Sequence, residues 1–201
     1  MCEKIRCSWA GSTPVYMDYH DNEWGRPEHN DRKLFEMLIL ESMQAGLSWI
    51  TVLNKREAFR AAFDGFDPEK IVHYGEDKIQ ELMENKEIIR NRLKINAAVN
   101  NAGVFLETVQ KYGSFDQFIW AYVDYKPITN HWKTMEEMPA NTPLSDKISK
   151  DLKKMGFKFV GSTIIYSFMQ AIGMVNDHIT DCFVYKELLK TQPYNSSTKI
   201  G

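Results

Sequence analysis

Two cysteine–histidine pairs lie near opposite ends of the sequence. His178 and Cys182 are four residues apart, so on a helix or a helical turn their side chains project from one face. Cys7 and His20 form a second pair, thirteen residues apart, near the N-terminus. Two thiolates and two imidazoles are the ligands of closed, tetrahedral zinc sites. The residue types therefore allow one Zn²⁺ ion to join the two ends of the chain.

Spacing alone leaves this zinc site undecided, because the two pairs are far apart in the sequence. Cys7 and Cys182 could instead be small apolar residues, with both histidines on the surface. Cys2 is a competing thiol, and its position at the terminus makes it the weaker candidate ligand. Four protein ligands leave no open position for an activated water, so a zinc ion here is expected to be structural.

A glutamate falls on the apolar side of a predicted helix. On a wheel of residues 32–45, at about 100° per residue, Glu41 lies in the middle of the apolar side chains. Those side chains are Leu34, Leu38 and Ala45. The charged side chains opposite are Arg32, Lys33 and Glu36. A buried carboxylate needs a partner, so Glu41 lies at the rim, forms a core salt bridge, or binds a cationic or hydrogen-bond-donating ligand.

Aromatic residues near this helix favour the ligand site. Four of them lie within sixteen residues that are predicted to form a loop: Trp9, Tyr16, Tyr19 and Trp24. Downstream, Gln44–Ser48 is typical of a helix end and a tight turn, before a helix that opens with Trp49. Loop aromatics often anchor a loop on the core, but several aromatic faces around one carboxylate suit a flat cationic ring. The expected ligand resembles a charged heteroaromatic base.

A basic segment between two short predicted helices is a candidate contact for DNA. Within nine positions it carries four cations, which are Lys86, Arg90, Arg92 and Lys94. Backbone N–H groups at the start of the next helix, supported by such cations, can bind a phosphate. A second run of lysines, between Lys147 and Lys158, is predicted to be mostly a solvated face.

The elements that position these residues are predicted to be helices. Helical periodicity recurs along the chain and strand-like alternation does not. Capping residues mark several helix starts, among them Asp31, Ser48, Asp67, Ser114 and Ser145. The predicted helices span residues 31–45, 49–63, 68–74, 76–85, 93–111, 115–123, 145–156 and 162–174. The fold class is therefore all-α, with one long irregular segment over residues 126–143.

Composition excludes several classes of protein. Of the 201 residues, 43% are hydrophobic and 12% aromatic, which is enough for the core of one globular unit over residues 1–191, followed by a flexible tail. The net charge is −2, so a polyanion has to bind a local patch rather than bulk positive charge. No apolar run approaches the roughly 20 residues of a membrane span, and the N-terminus lacks a secretory signal. A cytoplasmic protein is expected.

Several long motifs resemble those of the DNA-3-methyladenine glycosylase I family. They are Tyr19 to Gly25, Glu41, Gln44 to Ile50, Gly156 to Gly161 and Asn176 to His178. The resemblance runs from about Cys7 to Cys182. It implies a helix–hairpin–helix glycosylase fold with two helical lobes and one structural zinc ion per chain. The family's zinc ligands match Cys7, His20, His178 and Cys182.

The same resemblance implies a base pocket and a DNA contact. The base-binding glutamate of the family matches Glu41. Its pocket aromatics match Tyr16, Tyr19 and Trp49, with Trp9 close by. The family inserts backbone from the turn that matches Gln44, Gly46 and Leu47 into the gap left by a flipped nucleotide. The hairpin with Lys86, Arg90 and Arg92 is the expected grip on the DNA backbone, although Lys86 and Glu87 stand where many related hairpins have glycines.

The activity implied is that of a monofunctional, monomeric DNA glycosylase. It flips 3-methyladenine out of alkylated double-stranded DNA, hydrolyses the N-glycosidic bond and releases the free base. The family is known for lacking the catalytic aspartate of its superfamily. From the residues alone, two other classes stay open. One is a zinc hydrolase that uses His20, Asp21 and Glu23 around an open metal, and the other is a module that binds damaged DNA or a cationic ligand without chemistry.

Overall fold

The computed structural model describes residues 4–191, and most of them lie in helices. Cys2 and the predicted tail of residues 192–201 lie outside the described residues. The α-helices are Pro14–Asn22 (α1), Asp31–Gln44 (α2), Trp49–Asn54 (α3), Arg56–Ala62 (α4), Pro68–Ile71 (α5), Glu76–Glu84 (α6), Arg92–Tyr112 (α7), Phe115–Trp120 (α8), Pro143–Met155 (α9), Ser162–Ala171 (α10) and Phe183–Thr191 (α11). Two short strands, Ile128–Thr129 (β1) and Val175–Asn176 (β2), pair in parallel.

The predicted helical class is confirmed, apart from this short strand pair. The predicted loop that carries Tyr16 and Tyr19 is wrong, because both residues lie on α1, which begins at Pro14. The predicted helix 49–63 divides at Lys55 into α3 and α4. No predicted helix corresponds to α11. Within residues 4–191, no helix combines the length and the apolar character that crossing a membrane requires.

One predicted cap has a different role in the structure. Helix α2 is capped by Asn30, whose side chain accepts a hydrogen bond from the Lys33 backbone N–H at 3.1 Å. The Asp31 carboxylate instead accepts hydrogen bonds from the backbone N–H groups of Phe115 and Asp116, at 3.0 and 2.8 Å. Asp31 therefore satisfies the first turn of α8 and joins α8 to the start of α2.

Other helix ends agree with the prediction or differ by a few residues. The side chains of Asp67 and Ser114 accept N–H groups of α5 and α8, as predicted. Gly156 ends α9 in the left-handed conformation, at φ +104°. The cap of α9 is Thr142 rather than Ser145, which lies inside the first turn and completes a capping box with Thr142.

Helix α2 lies at the centre of the core. Every residue from Leu34 to Met43 is buried, so this helix has no solvated face over that stretch. The ring of Phe35 packs against the ring of Phe105 on α7, with 4.9 Å between their centroids. Helices α8 and α10 also pack against α2. As a result, α2 carries two carboxylates, Glu36 and Glu41, into the interior.

A buried aspartate fixes the irregular segment against the C-terminal part of the chain. Asp177 follows β2 directly and is fully buried. Its carboxylate accepts hydrogen bonds at 2.6–2.8 Å from Asn130, Trp132, Tyr166 and Gln170. Four donors satisfy this carboxylate without a cation, and they hold residues 126–143 close to α10.

Candidate functional site

A pocket of about 250 Å³ lies beside α2. Its lining residues are Trp9, Tyr16, Tyr19, Trp24, Glu41, Gln44, Trp49, Met135, Met138, Ser167 and Gln170. The structure thus brings the four expected pocket aromatics together around the expected glutamate. Sites for drug-sized ligands usually occupy about 300–1,000 Å³. A slightly smaller pocket with aromatic walls suits one planar ring system.

Glu41 is buried in the wall of this pocket, with 3% of its surface exposed. Its Oε2 atom has no hydrogen-bond partner among the described residues, and neither do the Tyr19 hydroxyl and the Trp49 Nε1. Loss of water around the buried carboxyl group raises the pKa of Glu41 from its ordinary value of 4.5 to about 8. Three unpartnered polar atoms in one pocket indicate a site that a ligand completes.

The second buried carboxylate of α2 has a different environment. Glu36 accepts hydrogen bonds from Arg56 Nε at 2.6 Å and from Arg60 Nη2 at 2.8 Å. Arg56 also donates to Glu23, just after α1, at 2.6 Å. Glu36, which the helical wheel groups with Arg32 and Lys33, is therefore neutralised in the interior by two arginines of α4. Glu41, by contrast, forms no ion pair with any residue in the described part of the chain.

Helix α1 supplies much of the aromatic wall. Tyr16 and Tyr19 are three residues apart, so they project from the same side of α1. The rings of Trp9 and Tyr16 lie 5.1 Å apart between centroids, and those of Tyr19 and Trp49 lie 5.5 Å apart. Burial, and then the nearby charge of Glu41, raise the pKa of both tyrosines. Their hydroxyl groups therefore remain protonated and can donate hydrogen bonds.

The opposite wall of the pocket is not predicted from the sequence. Ser167 and Gln170 line it from α10, and Met135 and Met138 line it from the irregular segment. The Gln170 amide is held in place because its Nε2 donates to the Asp177 carboxylate at 2.8 Å. A signal is present in the sequence, since these two polar residues are three positions apart in the second half of a helix whose other residues there are apolar.

The two cysteine–histidine pairs meet in one buried cluster. Their four ligand atoms all lie within 4.8 Å of one another. Cys182 Sγ lies 3.5 Å from both His20 Nε2 and His178 Nδ1, and Cys7 Sγ lies 3.6 Å from His178 Nδ1. Tetrahedral zinc, with bonds of about 2.3 Å to sulfur and about 2.05 Å to nitrogen, places these atoms about 3.6 Å apart. The cluster could therefore hold a four-coordinate metal ion.

Hydrogen bonds orient both imidazoles of this cluster. His20 Nδ1 lies 2.8 Å from Asp21, whose carboxylate is bound by Arg6 through two contacts of 2.8 Å. His178 Nε2 lies 3.0 Å from the backbone oxygen of Trp24. Each ring thus uses one nitrogen for an outer partner and directs the other to the cluster, as metal-binding histidines do. The Asp21 carboxylate is occupied by Arg6 and stands outside the group of four.

The C-terminal pair reaches the cluster without the helix that its spacing allows. His178 and Cys182 lie in a turn, in which the Cys182 backbone N–H donates to Ile179 O at 2.8 Å. This turn places Cys182 directly before α11. The N-terminal pair is joined to α1, because His20 lies on that helix and Cys7 precedes it.

A tight turn projects from the end of α2 beside the pocket. The Leu47 backbone N–H donates to Gln44 O at 2.6 Å, and Gly46 has a φ of +81°. This geometry is that of a type II turn, which favours glycine at its third position. Gly46 and Leu47 are exposed, and 42% of the Leu47 surface is accessible. Gln44 lines the pocket, so the turn connects the pocket with an exposed tip.

The expected DNA-binding hairpin lies between α6 and α7. Lys86 and Arg90 are exposed on it, and no side-chain ion pair occupies either residue in the described structure. Arg92 has a different state, because it forms an ion pair with Glu76 and donates to Gln80 at 2.7 Å. Arg92 is therefore less available to a phosphate than the other two cations.

The fold and these sites define a helical protein with an aromatic pocket around a buried carboxyl group. The sequence profile of the methyladenine glycosylase family matches residues 9–185. This match spans nearly the whole chain, so the protein belongs to the methyladenine glycosylase family.

Relatives and solved structures agree with this family. The chain is 51% identical over 180 residues to DNA-3-methyladenine glycosylase 1 of Escherichia coli strain K12, covering 90% of this chain and 96% of the relative. A crystal structure of 3-methyladenine DNA glycosylase I has a TM-score of 0.87 and 53% identity, covering 89% of this chain and 98% of the other. The Staphylococcus aureus enzyme, solved to explain its 3-methyladenine recognition, has a TM-score of 0.85 and 40% identity, covering 88% and 94%.

Proposed function

We propose that this protein is a monofunctional DNA glycosylase that hydrolyses the N-glycosidic bond of 3-methyladenine in alkylated double-stranded DNA. Its products are the free base and an abasic site. The observation that carries the proposal is the buried Glu41 carboxyl group in an aromatic pocket, whose Oε2 has no hydrogen-bond partner among residues 4–191. The names of its close relatives, one of them 51% identical, support the same substrate.

Selection of the base is the main task in this reaction. Methylation at N3 gives adenine a positive charge, which weakens the glycosidic bond and makes the departing base neutral. Such a leaving group needs little protonation, so no strong general acid is required. Aromatic stacking returns roughly 1–3 kcal/mol per base, and a desolvated cation–π contact about 2 kcal/mol more. Neutral adenine gains less from the same pocket, and this difference provides the discrimination.

The cationic base also changes the protonation of Glu41. Because the pKa of the buried group is about 8, the free protein holds it mostly protonated at neutral pH. A permanently cationic base favours the ionised carboxylate, which accepts hydrogen bonds from the base edge. Binding of the lesion therefore releases a proton, and the affinity for it rises with pH until about 8.

Access to the base requires that the nucleotide leave the DNA stack. Flipping costs a few kcal/mol and costs least where pairing is already damaged. The turn with Gly46 and Leu47 fills the gap, because it has an exposed tip and borders the pocket through Gln44. Lys86 and Arg90 hold the phosphate backbone next to the start of α7. Helix α6, this connection and α7 form the helix–hairpin–helix unit of a two-lobed glycosylase.

One Zn²⁺ ion per chain completes the cysteine–histidine cluster. Its ligands are Cys7, His20, His178 and Cys182, and the sulfur–nitrogen distances of 3.5–3.6 Å support this assignment. With four protein ligands the ion stabilises the fold and supplies no activated water. We call the ion and its four ligands the zinc clasp. Because Tyr19 and His20 are neighbours on α1, the zinc clasp also fixes the aromatic wall of the pocket.

The release of bases from methylated DNA, with and without a chelator, tests this function. A glycosylase with a structural zinc ion releases 3-methyladenine and continues during brief exposure to the chelator. Immediate loss of activity in the chelator would indicate catalytic metal, as in a zinc hydrolase. Binding of methylated DNA without base release would indicate a non-enzymatic module.

A further inference from the structure

A buried lysine binds the end of the helix that carries Glu41. Lys94 lies in the first turn of α7, and 7% of its surface is exposed. Its Nζ donates to the backbone oxygens of Met43 and Ala45, at 2.7 and 2.6 Å. No carboxylate of residues 4–191 forms an ion pair with it. The cation therefore interacts with the helix end and with Ala45, the second residue of the turn Gln44–Leu47.

This contact replaces a cap that α2 lacks. The last turn of α2 carries no basic residue, and its C-cap, Ala45, makes no backbone hydrogen bond that closes the helix. Helix C-termini carry partial negative charge on unpaired carbonyl groups, and a cation stabilises them. Lys94 provides that cation from a different helix, just after the hairpin.

A second lysine makes the reciprocal contact. Lys55 lies at the break between α3 and α4, and its Nζ donates to the backbone oxygens of Lys86 and Glu87, at 3.4 and 2.9 Å. Helix α3 follows the turn directly. Lys55, which follows the turn in the sequence, is thus hydrogen-bonded to the hairpin. Lys94, which follows the hairpin, is hydrogen-bonded to the turn.

We propose that Lys94 and Lys55 are positioning residues that join the turn Gln44–Leu47 and the hairpin 85–91 into one rigid unit. Neither amine lines the pocket. Their effect is to fix the distance between the hairpin that holds the phosphates and the turn that enters the DNA stack. This inference rests on the proposed glycosylase function, because it concerns how that enzyme couples backbone binding to insertion.

The lysines should therefore control insertion rather than recognition of the base. Glu41 and the aromatic walls bind the free base without any need for the turn to enter DNA. The contacts of Lys94 and Lys55 between the turn and the hairpin affect excision only once both segments contact the same duplex. Loss of these contacts should lower the maximal excision rate, with a small effect on the affinity for free 3-methyladenine.

Four variants of the full chain test this prediction. Lys94→Met and Lys55→Met keep the length of the side chain and remove the amine, whereas Lys94→Arg keeps a cationic donor. Lys111→Met is the matched control, because Lys111 is an exposed lysine on the same helix as Lys94. The readouts are the single-turnover excision rate at saturating protein, the affinity for free 3-methyladenine, and the fluorescence of 2-aminopurine placed beside the lesion.

We expect Lys94→Met and Lys55→Met each to lower the saturated excision rate at least tenfold and to reduce the 2-aminopurine signal. Free-base affinity should change less than threefold, Lys94→Arg should recover part of the rate, and Lys111→Met should match the wild type.

Normal excision by both methionine variants would overturn the inference. Parallel loss of base binding, melting temperature and excision would also overturn it, because a merely structural role predicts that result. If Lys94→Met does not fold, Lys55→Met decides alone. Failure of the wild type to excise any base would instead contradict the proposed function.

Discussion

Replacement of Glu41 by glutamine should make the free protein more stable at high pH. The pKa of the folded carboxyl group, about 8, exceeds its ordinary value of 4.5, so between these values the unfolded chain loses a proton that the folded protein keeps. The stability of the wild type therefore falls as pH rises through this window and levels off above it. The difference in pKa corresponds to at most about 5 kcal/mol. Glu41→Gln removes this loss, because an amide has no charge to bury.

The same substitution should weaken binding of the methylated base. Glutamine keeps the size of Glu41 and one acceptor oxygen, but it has no proton to give to the free base, which is neutral, and no charge to hold the cation that protonation of the base forms. A hydrogen bond to a charged group contributes about 1.5–3 kcal/mol. The affinity for free 3-methyladenine should therefore fall by roughly 10- to 150-fold. Excision should slow as well, and its rise with pH between about 6 and 8 should disappear.

Two measurements on the same preparations test both effects. Urea unfolding at pH 5 and pH 8.5 gives the stability, and calorimetric titration with free 3-methyladenine gives the affinity. Glu36→Gln is a matched control, because this buried carboxylate has partners in Arg56 and Arg60 and should lose stability on substitution. Normal base binding by Glu41→Gln, together with a stability far below that of the wild type at pH 8.5, would refute this role of Glu41, since that result belongs to a structural ion pair.

Three further predictions concern the metal, the hairpin and the pocket wall. Cys182→Ser should lose the one zinc ion per chain and unfold at a lower temperature; zinc-free wild-type protein, or full stability of the variant, would contradict the clasp. Combined Lys86→Ala and Arg90→Ala substitutions should weaken DNA binding equally across sequences. They should also lower the steepness of log affinity against log salt concentration by nearly 2. An unchanged slope would place the DNA contact elsewhere on the surface. Tyr19→Phe should lower base affinity by about 0.5–1.5 kcal/mol without loss of stability, because its hydroxyl has no partner in the part of the chain that the structure describes; unchanged affinity would exclude that hydroxyl from the site.

Much of the candidate site was accessible from the sequence, because its polar residues are unusual for their positions. Glu41 stood out on an apolar helical side, and the cysteine–histidine types and spacing suggested a metal. The loop assigned to Tyr16 and Tyr19 was the main local error. Thr13 and Pro14 carry the same start signal as Asp67 and Pro68, which predict the start of α5, so α1 is also predictable from known rules.

Other features depend on contacts between distant segments and could not be predicted locally. Glu36 resembles a surface residue until Arg56 and Arg60, about twenty positions later, fold over it. No proline or glycine marks the helix break at Lys55. The Lys55 side chain donates hydrogen bonds to the hairpin, which lies more than thirty residues later in the sequence. A helical wheel describes one helix, so it contains no information about such partners.

The role of Glu41 can be measured directly from its carboxyl ¹³C chemical shift. Protein labelled with ¹³C at glutamate side-chain carboxyl groups, with Glu41→Gln to assign the signal, is titrated with pH in the absence and presence of 3-methyladenine. The predicted result is a pKa near 8 in the free protein and an ionised carboxylate at pH 7 once the base is bound, because the neutral base takes up the Glu41 proton and becomes the cation that the pocket holds. A pKa near the ordinary 4.5 in the free protein, or a Glu41 signal that does not respond to the base, would contradict a pocket built around an unpartnered carboxyl group.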